Sequence, residues 1–336
     1  MSYLKAFRAV GPGLLIAGGM VLAAEAITRW AMGTPPVYRK HPSIEYLFKP
    51  NQSVWRFRNR VFINAYGMRS APISAHPPAG ARRILVFGDS VVFGGTQLDQ
   101  SVIATERLVT RLEGSQPRKH SGLIQIGNVS GGSWGPGNWL GWAQTYGFLG
   151  ATDVVLVISS HDVRDNPTYG PLDVDHPTET PGSALGELLG RYVWPQIAAK
   201  LSWSPLSNLS QGRGAALPSP DPASPAALRQ GLTYLHRFLL LARASGARVS
   251  VVQFWEQREL VSGEPLAENR EIAALLRQER IPAVQAGPLF RRCSRRADHG
   301  YDDLLVDVIH PFTAAGQTCL AEAMAQALES TAAGQQ

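Results

Sequence analysis

Five short apolar runs punctuate the chain from Arg83 onward: Ile84–Phe87, Leu123–Val129, Asp153–Ser159, Arg248–Phe254 and Ala283–Gly287. Unbroken apolar runs of this length suit strands buried on both faces, as in a parallel sheet. Between and after them lie longer segments with helical spacing: Ser101–Leu112, Gly137–Tyr146, Pro225–Ala244, Leu266–Arg277 and Thr313–Ser330. In Pro225–Ala244, Leu228, Leu232, Leu235 and Leu239 recur every three or four positions and so share one helix face. Strands alternating with helices predict an α/β fold, a three-layer α/β/α sandwich around a five-stranded parallel sheet.

Three stretches depart from this rhythm. Lys5 and Arg8 precede Ala9–Ala24, sixteen residues without a charge. That is short of the 20 or so residues of a full span and fits a signal-peptide core, with Ala24-Glu25-Ala26 as a small-x-small cleavage site. An uncleaved anchor over residues 9–27, with Trp30 at the interface, is the other reading of residues 1–30. In both, the positive end stays in the cytosol and the bulk of the chain is exported, periplasmic or secreted. Residues 31–80 are Pro-rich and read as an extended neck with extended pieces around Ser53–Asn64; Phe62–Ser70, where Gly67 can supply a turn before the first core strand, reads as packing, with lining of the cleft as the alternative. Residues 166–224, rich in Pro, Ser and Gly with a helical piece near Leu185–Lys200, interrupt the domain at 81–332. An insert of this length follows the third strand on the cleft side and reads as a lid or substrate flap, its second half equally as a surface loop.

Composition adds limits. The 336 residues are 44% hydrophobic and carry a formal charge of +6, enough apolar material for a substantial core. The arginines are scattered, and no nucleic-acid motif accompanies them, so nucleic acid is not an expected partner. Anionic lipid headgroups or an acidic glycan remain candidate partners for the basic clusters. Cys293 and Cys319 are too few for a disulfide scaffold; whether they pair depends on a distance the sequence does not give.

Candidate chemistry sits at the ends of the runs. Gly88, Asp89 and Ser90 follow the first, where a parallel sheet opens its cleft and a nucleophilic hydroxyl belongs. Serine needs a base, best a histidine oriented by a carboxylate. Asp307 and His310 supply both from one segment, stiffened by Pro311 before a helix. The glycine-rich Asn128–Asn138 follows the second run, and its amides can point at an oxyanion.

These blocks, in this order, resemble the SGNH (GDSL-like) hydrolase superfamily over about residues 80–330. The resemblance implies a flavodoxin-like sheet, Ser90 as nucleophile, His310 as base and Asp307 as its orienting acid. It implies an oxyanion hole from the amides of Ser90 and of Gly132 or Ser133. Asn64-Ala65-Tyr66-Gly67-Met68-Arg69 also resembles a segment found in some exported members. One block departs: where the family has Gly-x-Asn-Asp, this chain has Ser159-Ser160-His161-Asp162. His161 takes the place of the asparagine that donates to the oxyanion, and an imidazole N–H can donate as well. Asn166 would substitute if its loop turned back.

The expected activity is ester hydrolysis by Ser90, His310 and Asp307, with Ser90, Gly132, Ser133 and His161 around the oxyanion and no metal or organic cofactor. The expected substrate is a carbohydrate or other acyl ester, by analogy an acetylated exopolysaccharide, cellulose included. Acyl transfer by the same triad, lipid-ester hydrolysis at a membrane, and a non-catalytic glycan-binding or secretion-assembly role are the alternatives.

Overall fold

In the computed structural model, residues 2–115, 123–201 and 221–333 are described. The second half of the 166–224 insert falls largely outside them. Five strands build one parallel sheet: β5 (Arg82–Gly88), β6 (Ile124–Ser130), β7 (Asp153–Ile158), β8 (Arg248–Gln253) and β9 (Ala283–Gln285), ordered β6-β5-β7-β8-β9. That is the flavodoxin-like order, with its crevice where connections diverge between β5 and β7. Residues alternate between faces. Leu85 and Phe87 join one core with α4 (Pro136–Tyr146), α7 (Pro225–Ala244) and α9 (Ala267–Gln278). Ile84 and Val86 join the other with α3 (Ala104–Ser115), α10 (Ala286–Ser294) and α11 (Ala314–Ala333). The three-layer expectation holds, and most elements lie within three residues of their expected bounds.

Two differences have local causes. The fifth strand ends at Gln285, because Ala286 already opens α10; Pro288 falls in that helix's first turn, where a missing N–H costs nothing. The Pro-rich stretch forms two antiparallel hairpins, β1 (Tyr38–His41) with β2 (Glu45–Phe48) and β3 (Gln52–Arg56) with β4 (Asn59–Ile63). Ile44, Tyr46, Leu47 and Met68 enter the core beside α4, so this stretch packs as part of the domain. Arg69 is fully buried and donates to the carbonyl oxygens of Phe93, Gly95 and Leu98, clasping the turn behind Ser90.

α1 (Ser2–Met32) is long and apolar enough to cross a membrane, with Leu15, Ile16, Met20, Val21, Leu22 and Ile27 exposed. Glu25, inside the small-x-small triplet, is bonded to the insert helix α5 (Ala184–Glu187). A π-helical turn (Leu188–Val193) joins α5 to α6 (Trp194–Leu201).

Candidate active site

β5 ends at Gly88, where a side chain would meet Val92 Cγ2 at 2.3 Å and the Val157 carbonyl oxygen at 3.3 Å. Glycine therefore lets the chain turn tightly into α2 (Ser90–Phe93). Asp89 caps that turn, accepting the Val91 N–H at 2.9 Å. The Trp139 indole N–H, from α4, binds the Gly88 carbonyl oxygen at 2.9 Å and fixes the strand end.

His310 reaches this point from a loop 220 residues on. Its Nε2 lies 2.9 Å from Ser90 Oγ, and its Nδ1 lies 2.7 Å from Asp307 Oδ2. The other Asp307 oxygen accepts the N–H groups of Ile309 and His310, each at 2.8 Å, so one carboxylate shapes the loop and orients the ring. Burial raises the Asp307 carboxyl, but those bonds outweigh it and hold it below its ordinary range. The loop is held at three further points. The Gln257 N–H donates to the Val308 carbonyl oxygen at 2.8 Å, and the Gln317 amide to that of Pro311 at 2.9 Å. Cys293 of α10 and Cys319 of α11 form a disulfide, with Cα atoms 6.5 Å apart, that brackets the segment carrying Asp307 and His310.

His161 stands at the end of β7 and has no idle nitrogen. Its Nε2 is 3.0 Å from Asp89 Oδ2 and 3.4 Å from Asp162 Oδ1; its Nδ1 is 3.3 Å from Glu256 Oε1. Glu256, just past β8, also accepts the Ser160 hydroxyl. Burial disfavours the charged imidazole, but Asp162, Asp89 and Glu256 prevail and push it up to about 12. That direction favours the protonated ring. Asp89 is held low despite burial, by the hydrogen bond and charge of His161. Asp162, wholly buried and beside Asp89, is raised well above the carboxylate range.

This arrangement bears on the Ser90 hydroxyl. Asp89 Oδ2 lies 3.2 Å from Ser90 Oγ and competes with His310 for its proton. The cationic His161 occupies the same carboxylate oxygen and lowers its appetite for that proton. Of the two contacts of the hydroxyl, the one to His310 is the shorter.

Of the other expected residues, Ser133 adopts a left-handed conformation at φ 54°, and Gly132 receives the Tyr46 hydroxyl on its carbonyl oxygen. A cavity of about 270 Å³ opens beside Ser133, walled by Tyr46, Arg164, Asp165, Asp173 and His176. Burial pushes the Asp165 carboxyl up to about 6. Asn166 does not turn back: its amide donates to the Ala227 carbonyl oxygen at 2.9 Å, on α7. Glu256 has no counterpart among the sequence candidates; a glutamate two residues past an apolar run carries no local mark of a partner 95 residues away. Asp89, His161 and Asp162 each bring one ligand atom within 4.8 Å of the others, the geometry of a metal set. The ion pairs of His161 with Asp89 and Glu256 give the cluster partners of its own.

No protein family matches the chain, and no curated protein does. Among solved structures, an alpha/beta hydrolase enzyme from the metagenome of Lake Arreo is similar at TM-score 0.43 and 13% identity, over 76% of this chain and 98% of that one. The psychrotrophic esterase EstA from Pseudoalteromonas is similar at TM-score 0.40 and 12% identity, over 74% and 97%. An acetyl-xylooligosaccharide esterase from Geobacillus is similar at TM-score 0.43 and 13% identity, over 74% and 94%.

Proposed function

We propose that the chain is a serine esterase in which Ser90 attacks an acyl carbonyl, His310 takes its proton and Asp307 holds the imidazole in register. The observation that carries this reading is the unbroken line from Ser90 Oγ through His310 to Asp307, at 2.9 and 2.7 Å. The tetrahedral oxyanion is received by the amides of Ser90 and of Gly132 or Ser133. His161, whose nitrogens both face carboxylates, contributes fixed positive charge instead of a free N–H. His310 then protonates the leaving alcohol, and water releases the acyl group. The cavity beside Ser133, walled by acids, an arginine and a histidine, suits a hydroxyl-rich alcohol, so we assign the substrate to acyl esters of carbohydrates. Residues 81–332 carry the hydrolase chemistry, with the hairpins of residues 31–80 packed into the same core. α1 anchors it on the far side of a membrane, and the disulfide suits an oxidising compartment there.

The test is turnover of 4-nitrophenyl acetate by the full chain in detergent. Ser90→Ala is expected to lower kcat by about 10,000-fold or more. Equal rates for the two proteins would remove the esterase reading.

A further inference from the structure

The insert after β7 is fastened to α1 by a cap. The Glu25 carboxylate accepts the Ala184 and Leu185 N–H groups, each at 2.9 Å, and the Ser183 hydroxyl at 2.8 Å. Arg29, one turn on, bridges Glu25 at 2.6 Å and the Gly182 carbonyl oxygen at 2.8 Å. On the body side, Glu187 of α5 pairs with Arg56 of β3 at 2.6 Å, both side chains buried, and Arg56 also donates to the Tyr192 hydroxyl at 2.9 Å. With the bonds that Thr168 and Pro177 make to Glu45 and Tyr38, the insert is tied both to the N-terminal helix and to the domain.

Beyond these ties the insert shows an apolar face. Trp194 and Ile197 lie three residues apart on α6 and are 64% and 41% exposed; Leu189, in the π-helical turn, is 50% exposed. Position on α1 says what covers that face. Glu25 follows the uncharged stretch Ala9–Ala24 in the last turn of an anchor over residues 9–27, so in an anchored chain its carboxylate lies close to where hydrocarbon gives way to headgroups. Trp30, 69% exposed, follows at the depth that tryptophan favours. An element capped by Glu25 is held at the level where amphipathic helices bury an apolar face by about 5–10 Å.

We infer that α1 is retained as an anchor and that α5, the π-helical turn and α6 form an interfacial foot, with Trp194 and Ile197 in the headgroup–acyl boundary of the bilayer that α1 crosses. This rests on the anchor reading above. The first part of the same insert, through Asp173 and His176, walls the cavity beside Ser133. The foot thus ties the substrate side of the domain to the membrane surface.

The experiment places one cysteine at Ile197→Cys in the full chain, labels it with nitrobenzoxadiazole without reductant, and reconstitutes it in phosphatidylcholine–phosphatidylglycerol vesicles. Leu240→Cys, on the outer face of α7, is the control. Quenching by lipid carrying a doxyl group at acyl carbon 5 reads contact with the boundary; flotation of the same samples reads the anchor. Expected are co-flotation of both proteins and quenching several-fold stronger at position 197, weakened by adding Glu25→Gln while flotation persists. Flotation with equal quenching at 197 and 240 overturns the foot and leaves the anchor. Loss of flotation overturns both. A label in an apolar setting without doxyl quenching means that protein covers the face, and overturns the foot.

Discussion

At His161 one imidazole meets three acids, of which Asp89 and Glu256 are held low and carry the negative charge that favours its proton. Folding raises its value from 6.5 to about 12. A group raised on folding stabilises fully below its unfolded value, and the contribution is lost as pH rises through the folded one. The stability margin of the wild type over His161→Asn should therefore be widest below about pH 6.5 and narrow steadily toward alkaline pH. Urea unfolding of both proteins at several pH values checks this; a margin that does not change with pH denies the imidazole its charge. Glu256→Gln tests the same network through the rate: kcat should fall about tenfold or more, because a less firmly held imidazolium frees Asp89 to draw the Ser90 proton. An unchanged kcat separates Glu256 from the site. The meeting of Ser90 with His310 and Asp307 was legible in the sequence because each stands beside a strand end or a helix start that local pattern marks. Glu256 was not, since its meaning depends wholly on a ring brought from another strand.

At the scale of elements, the turn from β5 into α2 depends on the missing side chain at Gly88. Gly88→Ala forces a methyl group against Val92 at 2.3 Å and toward the Val157 carbonyl oxygen. The cost is about 1–3 kcal/mol, and relief moves α2 and the hydroxyl at its start. The variant should unfold at lower urea and turn over ester more slowly; full activity at unchanged stability would show that the turn tolerates a side chain. The strands were readable because burial on both faces leaves continuous apolar runs, and α7 because its leucines keep the helical interval. α10 was hidden behind the end of β9, where Ala-Gly-Pro reads as a break but serves as a helix's first turn. The hairpin β1–β2 was hidden as well: Tyr-Arg-Lys-His has no alternation, and its partner strand defines it.

For the whole molecule, the domain brings together groups from four strand ends and one distant loop. The order β6-β5-β7-β8-β9 sets Ser90, His161 and Glu256 at neighbouring carboxyl ends. His310 arrives last, on chain that no strand carries. The Cys293–Cys319 bridge, spanning 26 residues, compensates. Replacing both cysteines by serine should cost about 3–4 kcal/mol by restoring freedom to the unfolded chain. Turnover per folded molecule at low temperature should change little, since the hydrogen bonds of Asp307 and Gln317 remain. A melting temperature that does not fall would show the bridge to be idle. A biosynthetic consequence follows. Maturation of this chain includes an oxidation remote from Ser90, and protein made in a reducing cytosol keeps the segment of Asp307 and His310 in place by noncovalent bonds alone.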